Sequence, residues 1–399
     1  MISFEQAYDL VLDNLGDFGE VVVPLAKTNG RVLAEPIYAD RDFPPFDRAT
    51  KDGIAIAYGA VQRGKLELKI EGVAAAGSPE KVLVNPDTCI EIMTGAMLPK
   101  NTDTVVMYEH LTLKDGFATL EKPVKKGQNI HGRGSDEPEG TMVLQAGIRI
   151  TAAEIGVLAS VGKAMVKVKR NPSLCIVSTG DELVAVDAVP LPHQIRKSNS
   201  HTLRAALQDQ GLSSTTVHIA DDKEATESAI REVLQQYDIV LLSGGVSKGK
   251  YDYLPEVFET LGIEKVFHKV RQRPGKPFWF GKHEKSKTTV FAFPGNPGST
   301  FANYHVYFLP WLFHSFGLIS NNINVELNES IENTTDLTRF MRVNVAIFKG
   351  RLVAHLIEGN GSGDLTSLSK ANGFIRLKPN QNYDKGAEVP FIATRKILE

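Results

Sequence analysis

Four short strand-like runs in the middle of the chain, residues 174–178, 215–219, 239–242 and 289–293, each break into a loop carrying acids, glycines or a helix start. The first runs into Thr179-Gly180-Asp181-Glu182 and the second into Ala220-Asp221-Asp222. The third opens into Ser243-Gly244-Gly245-Val246-Ser247 and then Asp252, the fourth into Pro294-Gly295-Asn296-Pro297. Strands of one parallel sheet deliver such loops to one edge, where open α/β sheets bind ligands. Glycines there let backbone N–H groups approach an anionic or flat ligand. Asn296 suits an N-cap and Pro297 the first helical position, so that helix start can face an anion. Carboxylates beside these loops suit a hard cation bridging phosphate oxygens. Each loop alone could be a plain turn, and Asp221 with Glu224 fits a capping box, so at least one of Asp221 and Asp222 is expected to be structural. Recurrence at four strand ends favours a phosphate-plus-cation site over coincidence.

A basic segment, Lys269-Val270-Arg271-Gln272-Arg273-Pro274-Gly275-Lys276-Pro277, places four cations within eight residues. It reads either as a solvated loop or as a phosphate clamp, and the clamp better answers the neighbouring acids. Further on, Gly359-Asn360-Gly361-Ser362-Gly363-Asp364 is another loop of backbone donors, with Arg339 and Arg342 near it in sequence. No Gly-x-x-x-x-Gly-Lys-Ser/Thr loop is present, and the histidines lack metal-ligand spacing. With Asp and Glu as the available ligands, magnesium is the natural metal, and transfer or cleavage at a phosphate ester the natural chemistry.

The elements that must position these residues follow from pattern. At 399 residues, two to four domains are expected. Hydrophobic and charged fractions of 42% and 23% are those of a soluble globular protein, and a net charge of −2 gives no general field for nucleic acid or an anionic membrane. Cys89 and Cys175 lie in apolar runs and are expected to be reduced. The amino terminus does not read as a signal peptide, no run approaches membrane-spanning length, and a cytoplasmic protein is expected. Ser3 caps a predicted helix with Phe4, Ala7, Tyr8, Val11 and Leu12 on one face. Residues 54–150 predict a β module of short strands, and Thr151 with Glu154 a capping box. After Arg170-Asn171-Pro172 the pattern becomes α/β, with helices over 200–210, 223–236 and 254–261; the last 80 residues read as a small β domain. Phe43-Pro44-Pro45-Phe46-Asp47, running on to Asp52-Gly53, is stiff and reads as a clasp over a ligand or a linker. Ile130-His131-Gly132-Arg133-Gly134-Ser135-Asp136 reads as a hairpin tip or a ligand loop.

Taken together, Thr179-Gly180-Asp181-Glu182-Leu183, the Ser243–Ser247 run through Asp252-Tyr253, Pro274-Gly275-Lys276-Pro277 and Pro294-Gly295-Asn296-Pro297, with Met93-Thr94-Gly95-Ala96 and Asp52-Gly53, resemble the molybdopterin molybdenumtransferases, the MoeA family, whose eukaryotic relative is the C-terminal domain of gephyrin. The resemblance spans essentially the whole chain. It implies an α/β plus β multidomain fold: a central, mostly parallel α/β molybdopterin-binding domain with flanking β-rich domains in an elongated homodimer. The implied boundaries are 1–19 with 171–318 for the α/β domain, 20–40 with 141–170 for a linking α+β domain, 41–140 for a β-rich domain carrying the clasp, and 319–399 for a C-terminal β domain. The implied reaction takes adenylylated molybdopterin and molybdate, inserts molybdenum at the dithiolene and releases AMP. Asp52, Asp136, Glu182, Asp252, Lys269 and Lys276 are implied as catalytic, with Glu182 and Asp252 holding Mg²⁺. Thr94, Thr179, Gly180, Asn199, Asp222, Ser243, Gly244, Gly245, Ser247, Arg273, Pro294, Gly295, Asn296, Pro297, Arg342 and Ser362 are implied to bind the pterin substrate or its anions. The implied site lies between the β module of one subunit and the α/β domain of the other, and contacts with an adenylyltransferase or a recipient molybdoenzyme are implied as well. Lys51, Lys197 and Gly363 depart from the usual pattern. An adenylyltransferase, or a scaffold that only binds pterin or peptide, are the alternatives.

Overall fold

The computed structural model describes residues 1–246, 253–319 and 323–397. Ser247 and Asp252 therefore lie outside the described residues. The chain divides into two compact units, one of residues 1–21, 30–32 and 168–399, the other of residues 22–29 and 33–167.

In the first unit six strands form one sheet: β1 (Leu174–Thr179), β2 (Thr215–Ile219), β3 (Ile239–Ser243), β4 (Glu264–His268), β5 (Trp279–His283) and β6 (Thr288–Phe293), in the order β2-β1-β3-β6-β5-β4. The first four in that order are parallel, and β5 and β4 add antiparallel. β1 and β3 are buried along their whole length, which is why they read as unbroken apolar runs. Alternation sorts their side chains: Leu174, Ile176, Ile239 and Leu241 pack on one face, and Cys175, Val177, Val240 and Leu242 on the other. The helices between strands are α1 (Asn199–Gln208), α2 (Lys223–Gln236) and α3 (Leu254–Thr260); α4 (Pro297–Asn303) follows β6. α4 continues through a π-turn, Tyr304–Phe308, whose side chains are all buried. The amino-terminal helix Phe4–Leu12 forms as its capping box predicts and buries Phe4, Ala7 and Val11. The antiparallel strands β4 and β5 escape a sequence reading because the basic segment between them dominates the pattern.

The same unit contains a second six-stranded sheet. It pairs Thr338–Phe348 with both Arg351–Leu356 and Gly373–Leu377, closing a small barrel around Val325, Val343, Val345, Ile375 and Val389. The basic segment joins it directly: Gln272–Arg273 is a two-residue strand, parallel to Thr338–Arg339.

The second unit is built on a six-stranded, largely antiparallel sheet in which Gly53–Ile56 is second from one edge. The Pro-Pro segment is not a linker. Arg48–Ala49 pairs with Ile130–His131, Asp136 N–H donates to Phe43 O at 2.9 Å, and Arg133 N–H donates to Asp47 Oδ1 at 2.7 Å. The two loops singled out in this region are thus one structure. Among the described residues no helix is long and apolar enough to cross a membrane.

Candidate functional site

The strand order places β2 on one side of β1 and β3 on the other, so the chain reverses direction across the sheet between β1 and β3. A crevice opens at the carboxyl ends of strands at such a reversal. Here it is a cavity of ≈ 760 Å³, lined by Ser178 and Thr179 at the end of β1, Ser243, Gly244 and Gly245 at the end of β3, and Pro294, Gly295, Asn296 and Pro297 after β6. Gly180, Glu182, Asn199, Lys197 and Asp221 complete the polar wall. The strand-tip residues expected from sequence are therefore brought together, except Ser247 and Asp252, which lie outside the described residues.

The glycines are needed for shape. Gly244 has φ +106°, and a Cβ there would stand 2.8 Å from Thr179 Oγ1. Gly180 has φ +131°, and its Cβ would meet the Glu182 carboxylate at 2.4 Å. At both positions the backbone adopts the left-handed region only glycine enters freely, and at Gly244 the neighbours of a Cβ would include the Thr179 carbonyl at 3.1 Å. Asn199, the first residue of α1, ties the loops together by donating to Ser243 Oγ at 2.7 Å and to Gly295 O at 2.6 Å. Thr300 Oγ1 donates to Pro294 O at 2.6 Å, fixing the start of α4.

The acids divide by role. Asp222, expected to contact substrate, is the N-cap of α2 and accepts from Ala225 N–H at 2.8 Å, whereas Asp221 lines the cavity. Asp221 and Asp181 exchange hydrogen bonds with each other's backbone N–H groups, at 3.1 and 3.3 Å. Asp222→Ala is expected to lower the unfolding free energy by about 1 kcal/mol, measured by urea denaturation, while Asp222→Asn, which keeps an acceptor, retains it. Among the described residues no group of three or more His, Cys, Asp or Glu side chains could by itself hold a metal ion. The Glu182 and Asp221 carboxylates still offer hard oxygen donors of the kind Mg²⁺ takes when one or two carboxylates are joined by substrate phosphates.

A second cavity, of ≈ 690 Å³, shares Pro277, Pro294 and Asn296 with the first. It is lined by Arg273, Lys276, Arg339 and Arg342, with Ser299, Ser362 and the single acid Glu358. The ion pairs found among the described residues lie elsewhere, as at Arg170–Asp238 and Arg351–Glu326, so among those residues the four cations share no direct ion pair, although the Asp364 carboxylate acts on Arg342. Arg342 donates from Nη2 to Gly361 O at 3.0 Å, and its Nε–H is buried with no acceptor among the described residues. Burial pulls its guanidinium below the usual value, partly opposed by Asp364. Asp364 accepts from Thr366 Oγ1 and from the N–H groups of Asn360 and Ser367, which hold it well below the usual carboxylate range and shape the 359–364 loop. Lys269, expected among the phosphate-binding cations, lines neither cavity; its backbone has φ +72° and pairs with Ile2 and Phe278. Glu358 and Ser299 line the second cavity without having been singled out in the sequence, whereas Arg339 was expected only as a charge near the 359–364 loop.

In the other unit, Asp52 Oδ1 accepts from Thr94 N–H and Oγ1–H, each at 2.6 Å, and the hydroxyl bond above all holds its carboxyl below the usual value. Asp136 accepts from His131 Nε2 at 2.8 Å. Arg48 Nη2 lies 3.1 Å from His131 Nδ1.

Three family models match in order: the MoeA N-terminal region (domain I and II) over residues 2–162, a probable molybdopterin binding domain over 175–314, and the MoeA C-terminal region (domain IV) over 324–394. A molybdopterin molybdenumtransferase of Synechocystis sp. is 36% identical over 98% of this chain and 100% of its own length. One from Staphylococcus aureus is 32% identical over 98% of this chain and 96% of its own length. The crystal structure of a molybdopterin biosynthesis MoeA protein from Pyrococcus horikosii matches with a TM-score of 0.84 at 29% identity, covering 99% of this chain and 100% of that one. Full-length identity, three matched regions in sequence and a shared multidomain fold agree: the chain belongs to the MoeA family of molybdopterin molybdenumtransferases.

Proposed function

We propose that this protein inserts molybdenum from molybdate into adenylylated molybdopterin, releasing AMP, as the insertion step of molybdenum cofactor biosynthesis. The observation that carries this reading is the pairing of two cavities across one rim: a glycine-lined crevice at the strand tips and a four-cation cavity against it. The crevice suits the pterin–phosphate–adenosine chain, with the start of α4 and the amides near Gly244 and Gly245 facing its phosphates. The cationic cavity suits a tetrahedral oxyanion, for which Arg273, Lys276, Arg339 and Arg342 supply opposing charge.

Molybdate and the phosphoanhydride repel each other until cations screen them, and fixed charges in a partly desolvated site screen without reorganisation. Glu182, with Asp221 near it and Asp252 as a third acid, would hold Mg²⁺ against the phosphates, where it supplies Lewis-acid stabilisation of the leaving AMP. Lys276 and Arg273 hold the oxyanion, and Arg342 with Ser362 closes on it from the barrel side. Lys269, outside both cavities, would act through the loop it begins. Asp52 with Thr94, and Asp136, would complete the site from the β module of a second copy in a homodimer. The four-domain division at residues 20, 41, 141, 171 and 319, a cytoplasmic location, and contacts with the enzyme supplying the substrate or receiving the product belong to the same proposal.

Incubating the purified protein with adenylylated molybdopterin and Mg²⁺, with and without molybdate, tests it. AMP release and pterin-bound molybdenum that both require molybdate are expected. Formation of adenylylated molybdopterin from ATP and molybdopterin would identify an adenylyltransferase instead, and binding without consumption a scaffold.

A further inference from the structure

Beneath the Arg273-Pro274-Gly275-Lys276 turn lie three polar side chains with no solvent exposure: Gln272, Asn303 and Tyr307. Gln272 Nε2 donates to Pro274 O at 2.9 Å and to Asn303 Oδ1 at 2.9 Å. Asn303 Nδ2 donates to Gly275 O at 3.3 Å, and the Tyr307 hydroxyl donates to Gln272 Oε1. Both Gln272 amide hydrogens and its oxygen are thus engaged. Burying two carboxamides costs free energy unless each finds partners, and here the partners are carbonyls of the cationic turn itself. Gly275 rests directly on them: with φ +89°, its Cβ would lie 2.3 Å from Asn303 Oδ1 and 2.8 Å from Gln272 Nε2.

The connections run three ways. Asn303 ends α4, whose first turn lines both cavities, and Tyr307 sits in the π-turn that follows. The Gln272 backbone pairs with Thr338, one residue before Arg339 on the strand that also carries Arg342. One residue therefore fixes the turn bearing Arg273 and Lys276, through its side chain to the turn and the helix and through its backbone to the strand bearing the other two cations.

We propose that Gln272 and Asn303 are positioning residues for oxyanion binding: a buried amide clasp that sets the spacing of the four cations without touching the ligand. This rests on the reading of the cationic cavity as the molybdate site. An apolar floor would seal the turn equally well against water, but would leave the carbonyls of Pro274 and Gly275 unpaired and the turn free to shift. Misplacement by about 1 Å at a reacting centre can cost on the order of a hundredfold in rate.

The test is molybdate binding to the full chain by equilibrium dialysis, with steady-state kinetics alongside. Gln272→Met and Asn303→Leu are each expected to raise the molybdate Kd and KM by about tenfold or more, leaving KM for adenylylated molybdopterin within about twofold. The double variant should be little worse than the weaker single one, because the pair acts as a unit. Should Gln272→Met fail to fold, Tyr307→Phe removes one donor only and is expected to raise the molybdate Kd by about threefold. Folded variants that bind molybdate as the wild type does would overturn the clasp. Lys276→Ala is the control for the cavity: wild-type affinity there would overturn the molybdate assignment itself, and reduced affinity there with intact binding in Gln272→Met would overturn only the positioning role.

Discussion

Glu182→Gln is expected to slow molybdenum insertion by about a hundredfold or more while leaving the melting temperature unchanged. The fold does not depend on the carboxylate charge. What holds the turn is backbone: Leu183 N–H donates to Gly180 O at 3.2 Å and Ile195 N–H to Glu182 O at 2.8 Å. The side chain folds back over Gly180 and lines the strand-tip cavity. Glutamine keeps the volume and one acceptor oxygen but removes the negative charge that would bind Mg²⁺ and orient it at the phosphates. The loss should therefore fall on kcat and on the Mg²⁺ concentration giving half-maximal rate, with KM for the pterin substrate little changed. Single-turnover AMP release across a Mg²⁺ titration separates these quantities. Wild-type turnover at limiting Mg²⁺ would remove Glu182 from the machinery and shift the burden to Asp221 or Asp252.

Much of this arrangement can be read from residue order, for a physical reason. β1, β3 and β6 are buried on both faces, so each must be a continuous apolar run, and each must end where a loop leaves the core. Thr179, Ser243 and Pro294 mark those ends. The barrel and the β module are visible as short strands, and turns form at signals such as Asn85-Pro86-Asp87 and Lys114-Asp115-Gly116. What stays hidden is what depends on pairing across long sequence distances. The division of labour between Asp221 and Asp222 turns on which residue has extended backbone geometry before α2, which two adjacent aspartates cannot reveal. Lys269 looks equivalent to Arg273 in a basic run, but its backbone is tied to Ile2 and Phe278, outside both cavities. Arg339 joins the site only because a two-residue strand at Gln272 pairs with Thr338. Gln272 and Asn303 carry no signal at all as isolated amides; they matter because 31 residues apart in sequence they meet at 2.9 Å.

Arg342 is the residue in which burial and function conflict most openly, and its replacement gives the other large expected effect. A guanidinium has five N–H donors, and one left buried without an acceptor costs about 1–3 kcal/mol. Nε–H of Arg342 is in that position, while Nη2 reaches Gly361 O and holds the loop that carries Ser362. An oxyanion in the cavity would offset this cost, so molybdate should raise the thermal stability of the wild-type protein. Arg342→Met removes the orphan donor and fills similar space, so its own melting temperature is expected to stay near wild type. It should nevertheless lose the molybdate-induced rise and show a molybdate KM raised by roughly a hundredfold. Arg342→Lys should fare little better, because an ammonium lacks the planar fork that can brace a loop carbonyl and face an oxyanion together. Thermal shift over a molybdate series, with tungstate and sulfate as comparison anions, reads this directly. A full molybdate response in Arg342→Met would mean that the cavity's other three cations suffice, and that the buried donor is answered in some other way.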